Sequence, residues 1–151
     1  MMQGVLKHHK MNRSTLLSKS VKMQQEHKIY SGGCHCGSVR FQVKIKEYKA
    51  RDCNCSICTK KGFLHLIVSP EQFTILSGQE SLTNYTFNTH TAQHTFCSIC
   101  GIHPFYIPRS HPDKIDVNLR ALDGEVMADF QIEPFDGRNW EENITTLREQ
   151  V

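Results

Sequence analysis

From residue 39 the chain alternates apolar and polar positions with a period of two. In VRFQVKIK (39–46), Val39, Phe41, Val43 and Ile45 fall on one side and Arg40, Gln42, Lys44 and Lys46 on the other. That is the signature of a strand with one buried and one wet face. FLHLIV (63–68) and FTILSG (73–78) come next, parted by Ser69-Pro70-Glu71, where an early proline suits a bend or a single helical turn. LTNYTF (82–87) and AQHTFC (92–97) read as strands flanking Asn88-Thr89-His90. FYIP (105–108), IDVNL (115–119) and VMADFQI (126–132) continue the series, with the Asp123-Gly124 turn signal between the last two. No long stretch carries the 3.6-residue helical period, and only WEENITTLREQ (140–150) reads as a short terminal helix. The pattern predicts one mainly β domain over residues 29–151, with Phe105, Tyr106 and Trp140 in its core.

Residues 1–28 break this pattern. Their apolar residues are scattered, and Lys7, Lys10, Arg13, Lys19, Lys22 and Lys28 are opposed only by Glu26, a local balance of +5. The whole chain of 151 residues carries +3, so the remainder is −2 and the basic character belongs to this segment. It reads as a disordered or weakly helical tail. Its richness in Ser and Lys, with no acid before Glu26, also fits a mitochondrial transit peptide. No apolar run approaches the roughly 20 residues of a membrane helix, and no apolar segment near the start resembles a secretory signal. We therefore expect a cytoplasmic or nuclear protein, or a mitochondrial one if the tail acts as a transit peptide, with no membrane partner. Reducing compartments keep thiols free, so disulfides are not expected.

The seven cysteines fall in three short motifs: Cys34 and Cys36 in GGCHCG, Cys53, Cys55 and Cys58 in CNCSIC, and Cys97 and Cys100 in CSICG. An odd count argues against a complete disulfide framework. Zinc explains the spacing better, because a structural zinc takes four ligands and close pairs from two distant segments commonly supply them. Pairing Cys34 and Cys36 with Cys97 and Cys100 gives a four-cysteine site, and the glycine after each pair suits a turn that needs positive φ. Cys53, Cys55 and Cys58 are then left with three ligands. Three protein ligands and an open fourth position are the usual arrangement of a catalytic zinc. Three thiolates leave such a centre with a net charge of −1. It would be poor at generating hydroxide and better suited to holding a further thiolate.

Other readings of the triad stay open. A histidine could close it, with His35, His65, His90, His94, His103 and His111 as candidates, or Cys55 and Cys58 could act as a redox pair. Lys44, Lys46, Lys49, Arg51, Lys60 and Lys61 against Glu47 and Asp52 give residues 44–61 a local balance of +4. Most of these charges are read as solvated strand and loop residues. Positive charge beside an open zinc would nonetheless attract a thiol that bears carboxylates, and glutathione is such a thiol.

In order along the chain, SGGCHCGSVRF, CNCSIC and FCSICGIHPFYIPRS resemble the glutathione-dependent formaldehyde-activating family. CGIHPFYIPRSHP and FDGRNWE look closest to its centromere protein V-like branch. The resemblance runs from about Ile29 to Trp140. It implies a small zinc-bearing β-tent of several short twisted antiparallel sheets. It also implies two Zn2+ per chain, with Cys34, Cys36, Cys97 and Cys100 as structural ligands and Cys53, Cys55 and Cys58 as the catalytic-type site. The implied reaction adds the thiol of glutathione, or a related small thiol, to formaldehyde and yields S-(hydroxymethyl)glutathione, a carbon–sulfur lyase reaction run backwards. His65 and His103 are candidates for the proton donor by their position in the sequence alone. The centromere protein V-like likeness implies, as an alternative, a non-catalytic module binding chromatin or microtubules, with weak contact to nucleic acid or tubulin through the basic tail. The core's own charge gives little electrostatic reason for DNA binding. A metal or redox buffer is the third reading.

Overall fold

The computed structural model describes residues 27–150. All but the last two residues of the basic tail lie outside that range, and so does any contact made through them. Among the described residues, no helix is long and apolar enough to cross a membrane.

Among the described residues, ten short strands form three small sheets. β1 (Lys28–Gly33), β2 (Arg40–Ile45) and β5 (Phe73–Ser77) make the first, in the order β1-β2-β5 with antiparallel pairing. The second has the order β10-β3-β4-β9-β8, built from β3 (Lys49–Cys53), β4 (Leu64–Val68), β8 (Phe105–Tyr106), β9 (Ile115–Asn118) and β10 (Gln131–Phe135). β6 (Leu82–Tyr85) and β7 (His94–Cys97) form an antiparallel ribbon. The described residues also hold two α-helices, α1 (Ser56–Lys61) and α2 (Trp140–Glu149).

The alternation in β2 is realised as expected: Phe41, Val43 and Ile45 are buried, while Gln42 and Lys44 face water. Their buried face meets Leu66, Phe105, Val117 and Leu119 of the second sheet and its neighbours in one core. Phe41 is fully buried, with ring centroids 5.3 Å from Phe73 and 5.9 Å from Phe105. Phe41→Ala should cost about 3–5 kcal/mol, the range for an aromatic deleted from a packed core. A denaturant melt reads this directly, and a loss under 1 kcal/mol would mean that the core closes over the gap.

Several expectations are corrected in detail. The strand expected over 126–132 begins later: Met127–Asp129 form a single 3-10 turn, and the strand runs over Gln131–Phe135. The turn drops Phe130 into the core beside Tyr48 (centroids 5.2 Å apart) and Tyr30 (6.2 Å). One ladder is not antiparallel, since β10 pairs with β3 in parallel register, Phe135 opposite Cys53. β10 takes the sheet edge, where Pro134 costs no ladder hydrogen bond. Two strands were not foreseen, β1 and β3. Phe105 and Tyr106 are buried as expected, but Trp140 is only half-buried at the start of α2.

Candidate metal centres and thiol site

The sulfurs of Cys34, Cys36, Cys97 and Cys100 all lie within 4.8 Å of one another. Two turns bring them together. Gly37 N–H donates to the Cys34 carbonyl (3.2 Å) and Gly101 N–H to the Cys97 carbonyl (2.8 Å), with φ of +79° and +75° at the two glycines. This is the positive φ expected of both trailing glycines, which a side chain would resist. The Val39 N–H points at Cys34 Sγ (3.3 Å). Four sulfurs placed 2.3 Å from a central zinc would stand about 3.8 Å apart. Here Cys36 Sγ is 3.5 Å from Cys34 Sγ and 3.7 Å from Cys97 Sγ, so the donor set fits that ion.

Cys53, Cys55 and Cys58 form the second group, again with their sulfurs within 4.8 Å. Cys53 ends β3, Cys55 is the N-cap of α1, and Cys58 lies inside that helix. Among the described residues no histidine nitrogen or carboxylate oxygen joins the three sulfurs at that spacing. Crowding splits their acidities. Hydrogen bonds from Cys53 and Cys58 pull Cys55 down, while Cys53, Cys55 and burial drive Cys58 up. Three thiolates this close ionise together only around a cation. The triad is therefore also compatible with zinc.

The third wall of the group is Gly137, packed against Cys53 Sγ and Cys55 Cβ. Asn54 fastens this contact. Its N–H donates to the Phe135 carbonyl (3.2 Å) and its side-chain amide to Asp136 Oδ1 (2.9 Å). Arg138 N–H in turn donates to Asn54 Oδ1 (3.0 Å). FDGRNW (135–140) is thus the clasp over CNC (53–55).

A cavity of about 240 Å3 opens over the triad. Trp140, Phe135, Phe87 and Ile57 give it apolar walls, and Arg51 and Arg109 stand among its lining residues. Arg109 lies over the Trp140 ring (5.0 Å) and pairs with Glu141 (3.1 Å). As expected, most of the charges along 44–61 are solvated. Of the six basic residues counted along 44–61, only Arg51 lines this cavity. Lys44 and Lys46 lie exposed on and beside β2, Lys49 pairs with Glu133 (3.7 Å), and Lys60 faces solvent. Lys61 turns inward, with Nζ 3.3 Å from His94 Nδ1 and over the Tyr106 ring at 4.2 Å. Burial lowers His94 to about 4, with Lys61 adding to the effect, so His94 is the neutral acceptor of a Lys61 N–H.

Of the two proposed proton donors, the structure brings only His65 to the cavity. His103 instead sits against Phe96 and pairs through Nδ1 with the Thr95 carbonyl (2.9 Å). Arg109, Gly137 and Asp116 lie at the cavity without having been singled out by the sequence. Arg109 and Gly137 lie inside the quoted stretches FYIPRS and FDGRNWE, but neither carries a spacing signal of its own.

The family model described as "Glutathione-dependent formaldehyde-activating enzyme" matches residues 29–137. The chain belongs to this family. The match runs from Ile29 in β1 to Gly137 and so contains both cysteine groups and the first half of the clasp, while Arg138, Asn139 and α2 lie beyond it. A Halomonas elongata protein named "Putative glutathione-dependent formaldehyde-activating enzyme" is 26% identical over a 107-residue alignment that covers 65% of this chain and 68% of the relative. A crystal structure of a Rhodobacter sphaeroides protein superposes with a TM-score of 0.63 at 36% identity, covering 69% of this chain and 97% of that one. The formaldehyde-activating family is established by these likenesses, with no distinction among its branches.

Proposed function

We propose that the protein joins the thiol of glutathione to formaldehyde over Cys53, Cys55 and Cys58, giving S-(hydroxymethyl)glutathione, a carbon–sulfur lyase reaction run in the synthetic direction. The observation that carries this reading is the bare triad: three converging sulfurs below an open cavity, with no fourth protein ligand among the described residues. Cys34, Cys36, Cys97 and Cys100 would hold a structural zinc, and Cys53, Cys55 and Cys58 a second. When bound there, the second ion supplies the positive charge that keeps an added sulfur as thiolate.

The chain's own residues do the rest. Arg51 and Arg109 offer guanidinium groups to the carboxylates of the tripeptide, the geometry arginine recognises best. Phe135, Trp140 and Ile57 keep water from the reacting carbon. The cavity admits formaldehyde and the cysteinyl arm of glutathione, which leaves the remainder of the tripeptide at the rim. Addition of thiols to aldehydes is facile, so holding the partners in contact supplies most of the required acceleration.

Calorimetric titration of glutathione into the zinc-loaded protein tests this. Saturable binding is expected, weakened in Cys55→Ser by at least about 100-fold, beyond the 10–100-fold typical of an outer-shell change. A protein holding two zinc ions that takes up no glutathione would refute the reading.

A further inference from the structure

A buried histidine–aspartate pair lines the same cavity as the three sulfurs, and thiol binding does not use it. His65 is on β4 and Asp116 on β9, in a register that pairs His65 with Asn118 and Ile67 with Asp116. The two side chains are therefore diagonal neighbours on one face of the sheet. His65 Nδ1 is 2.7 Å from Asp116 Oδ2, with the side chains 8% and 1% exposed. His65 Nε2 and Asp116 Oδ1 are buried without a hydrogen-bond partner. Leaving such groups unpaired carries their full desolvation penalty, a cost that a core without a task would shed by an apolar substitution.

The surroundings narrow what the pair can do. Asp116 accepts from Nδ1–H, which fixes the tautomer and leaves the Nε2 lone pair free. Tyr106 stands directly across β8–β9 from Asp116, and burial, reinforced by Asp116, holds its phenol protonated. The other charged or titratable groups around His65 are Arg51 opposite it on β3, Cys53 at the end of β3, Cys58 and Lys61 on α1, and His94 on β7.

We propose that His65, oriented by Asp116, carries the proton of the reaction. This rests on the function proposed above. As sulfur attacks, its lone pair becomes the C–S bond and the carbonyl π pair moves onto oxygen. The thiol proton has passed to His65 Nε2 beforehand, as the sulfur is bound as thiolate, and goes from there to that oxygen, which becomes the hydroxyl of the product. Nothing is oxidised or reduced, and no further reagent enters. Asp116 is a positioning residue: it sets the tautomer and stabilises the imidazolium that forms between the two transfers.

The test uses the full-length, zinc-loaded protein with glutathione and formaldehyde, following adduct formation by NMR exchange above the uncatalysed rate. His65→Gln should lower the catalysed rate about 100-fold, the scale of a lost general acid–base, with glutathione affinity unchanged within about twofold by calorimetry. The 15N spectrum of unsubstituted protein should show His65 as the Nδ1–H tautomer, and the near-isosteric Asp116→Asn should mix the tautomers and shift the pH–rate profile. A wild-type rate in folded His65→Gln overturns the inference alone. So does an Nε2–H ring in the unsubstituted protein, which is readable whether or not any variant folds, and so does a loss of rate confined to Tyr106→Phe. A wild-type protein that binds no glutathione and accelerates nothing overturns the underlying function, and the inference with it.

Discussion

Replacing Cys97 with serine should abolish the cooperative unfolding transition together with one metal equivalent. Cys97 is fully buried at the end of β7, its N–H donates to the Ile102 carbonyl (2.9 Å), and its Sγ belongs to the four-sulfur group. That group ties the turn after β1 to the turn after β7, segments 61 residues apart between Cys36 and Cys97. If it holds zinc as proposed, the expected contribution is about 10–16 kcal/mol by analogy with zinc-finger peptides. A domain's whole stability is about 5–15 kcal/mol, so the folded state should not survive the loss. Serine would add a buried hydroxyl without a partner, costing about 1–3 kcal/mol more. Near-UV circular dichroism melts with metal analysis check this. Wild type should melt cooperatively, while the variant and chelator-treated wild type should show no transition. A Cys97→Ser melt within a few degrees of wild type would refute the idea that this cluster holds the fold.

How much of this was legible depends on whether a feature is local. The β2 alternation could be read because a single sheet face decides it. β1 was hidden because it ends in Gly32 and Gly33, poor strand formers. Gly32 is needed there, since a Cβ would stand 2.5 Å from both the Ala121 carbonyl and the Phe41 ring. In β3, KARDC, only Ala50 and Cys53 are buried, so no apolar rhythm marks it. The parallel β10–β3 ladder joins distant segments, and nothing within either strand announces the partner's direction.

The cysteine groups were the clearest signal for a physical reason: metal ligands bite at short spacings, so the spacing carries the geometry. The rest of the cavity is assembled by register. His65 and Asp116 are 51 residues apart, and Asn54 and Arg138 are 84 apart. The charge tally over 44–61 could say that most of these residues are solvated, as Lys44, Lys46, Lys49 and Lys60 are, but not which one reaches the cavity, which is Arg51. Lys61 is turned toward His94 and Tyr106, and Arg109, outside the tally, lines the cavity.

The second large effect is expected at a residue with no side chain. Gly137 is buried, and a Cβ placed there would lie closer than 3.0 Å to Cys53 Sγ and 3.1 Å from Cys55 Cβ. Its backbone is not in the left-handed region, so the objection to alanine is steric alone, from Cys53 Sγ above all and then Cys55 Cβ. Retreat is blocked on both sides. Asn54 ties the cysteine loop to Phe135, Asp136 and Arg138, and Arg138 Nε also reaches the Asn54 carbonyl (3.2 Å). Forcing in a methyl should cost about 1–3 kcal/mol of stability, the usual scale of overpacking, because the four-cysteine group and the core around Phe41 lie elsewhere. The site itself should lose far more. Displacing Cys53 spoils the triad, so Gly137→Ala should fold, retain one of the two zinc ions proposed for the wild type, and lose glutathione binding as fully as Cys55→Ser. Metal content per chain, a melt and a glutathione titration on the same sample separate these effects. Two zinc ions with wild-type affinity would show that the clasp yields and that the triad does not depend on the missing side chain.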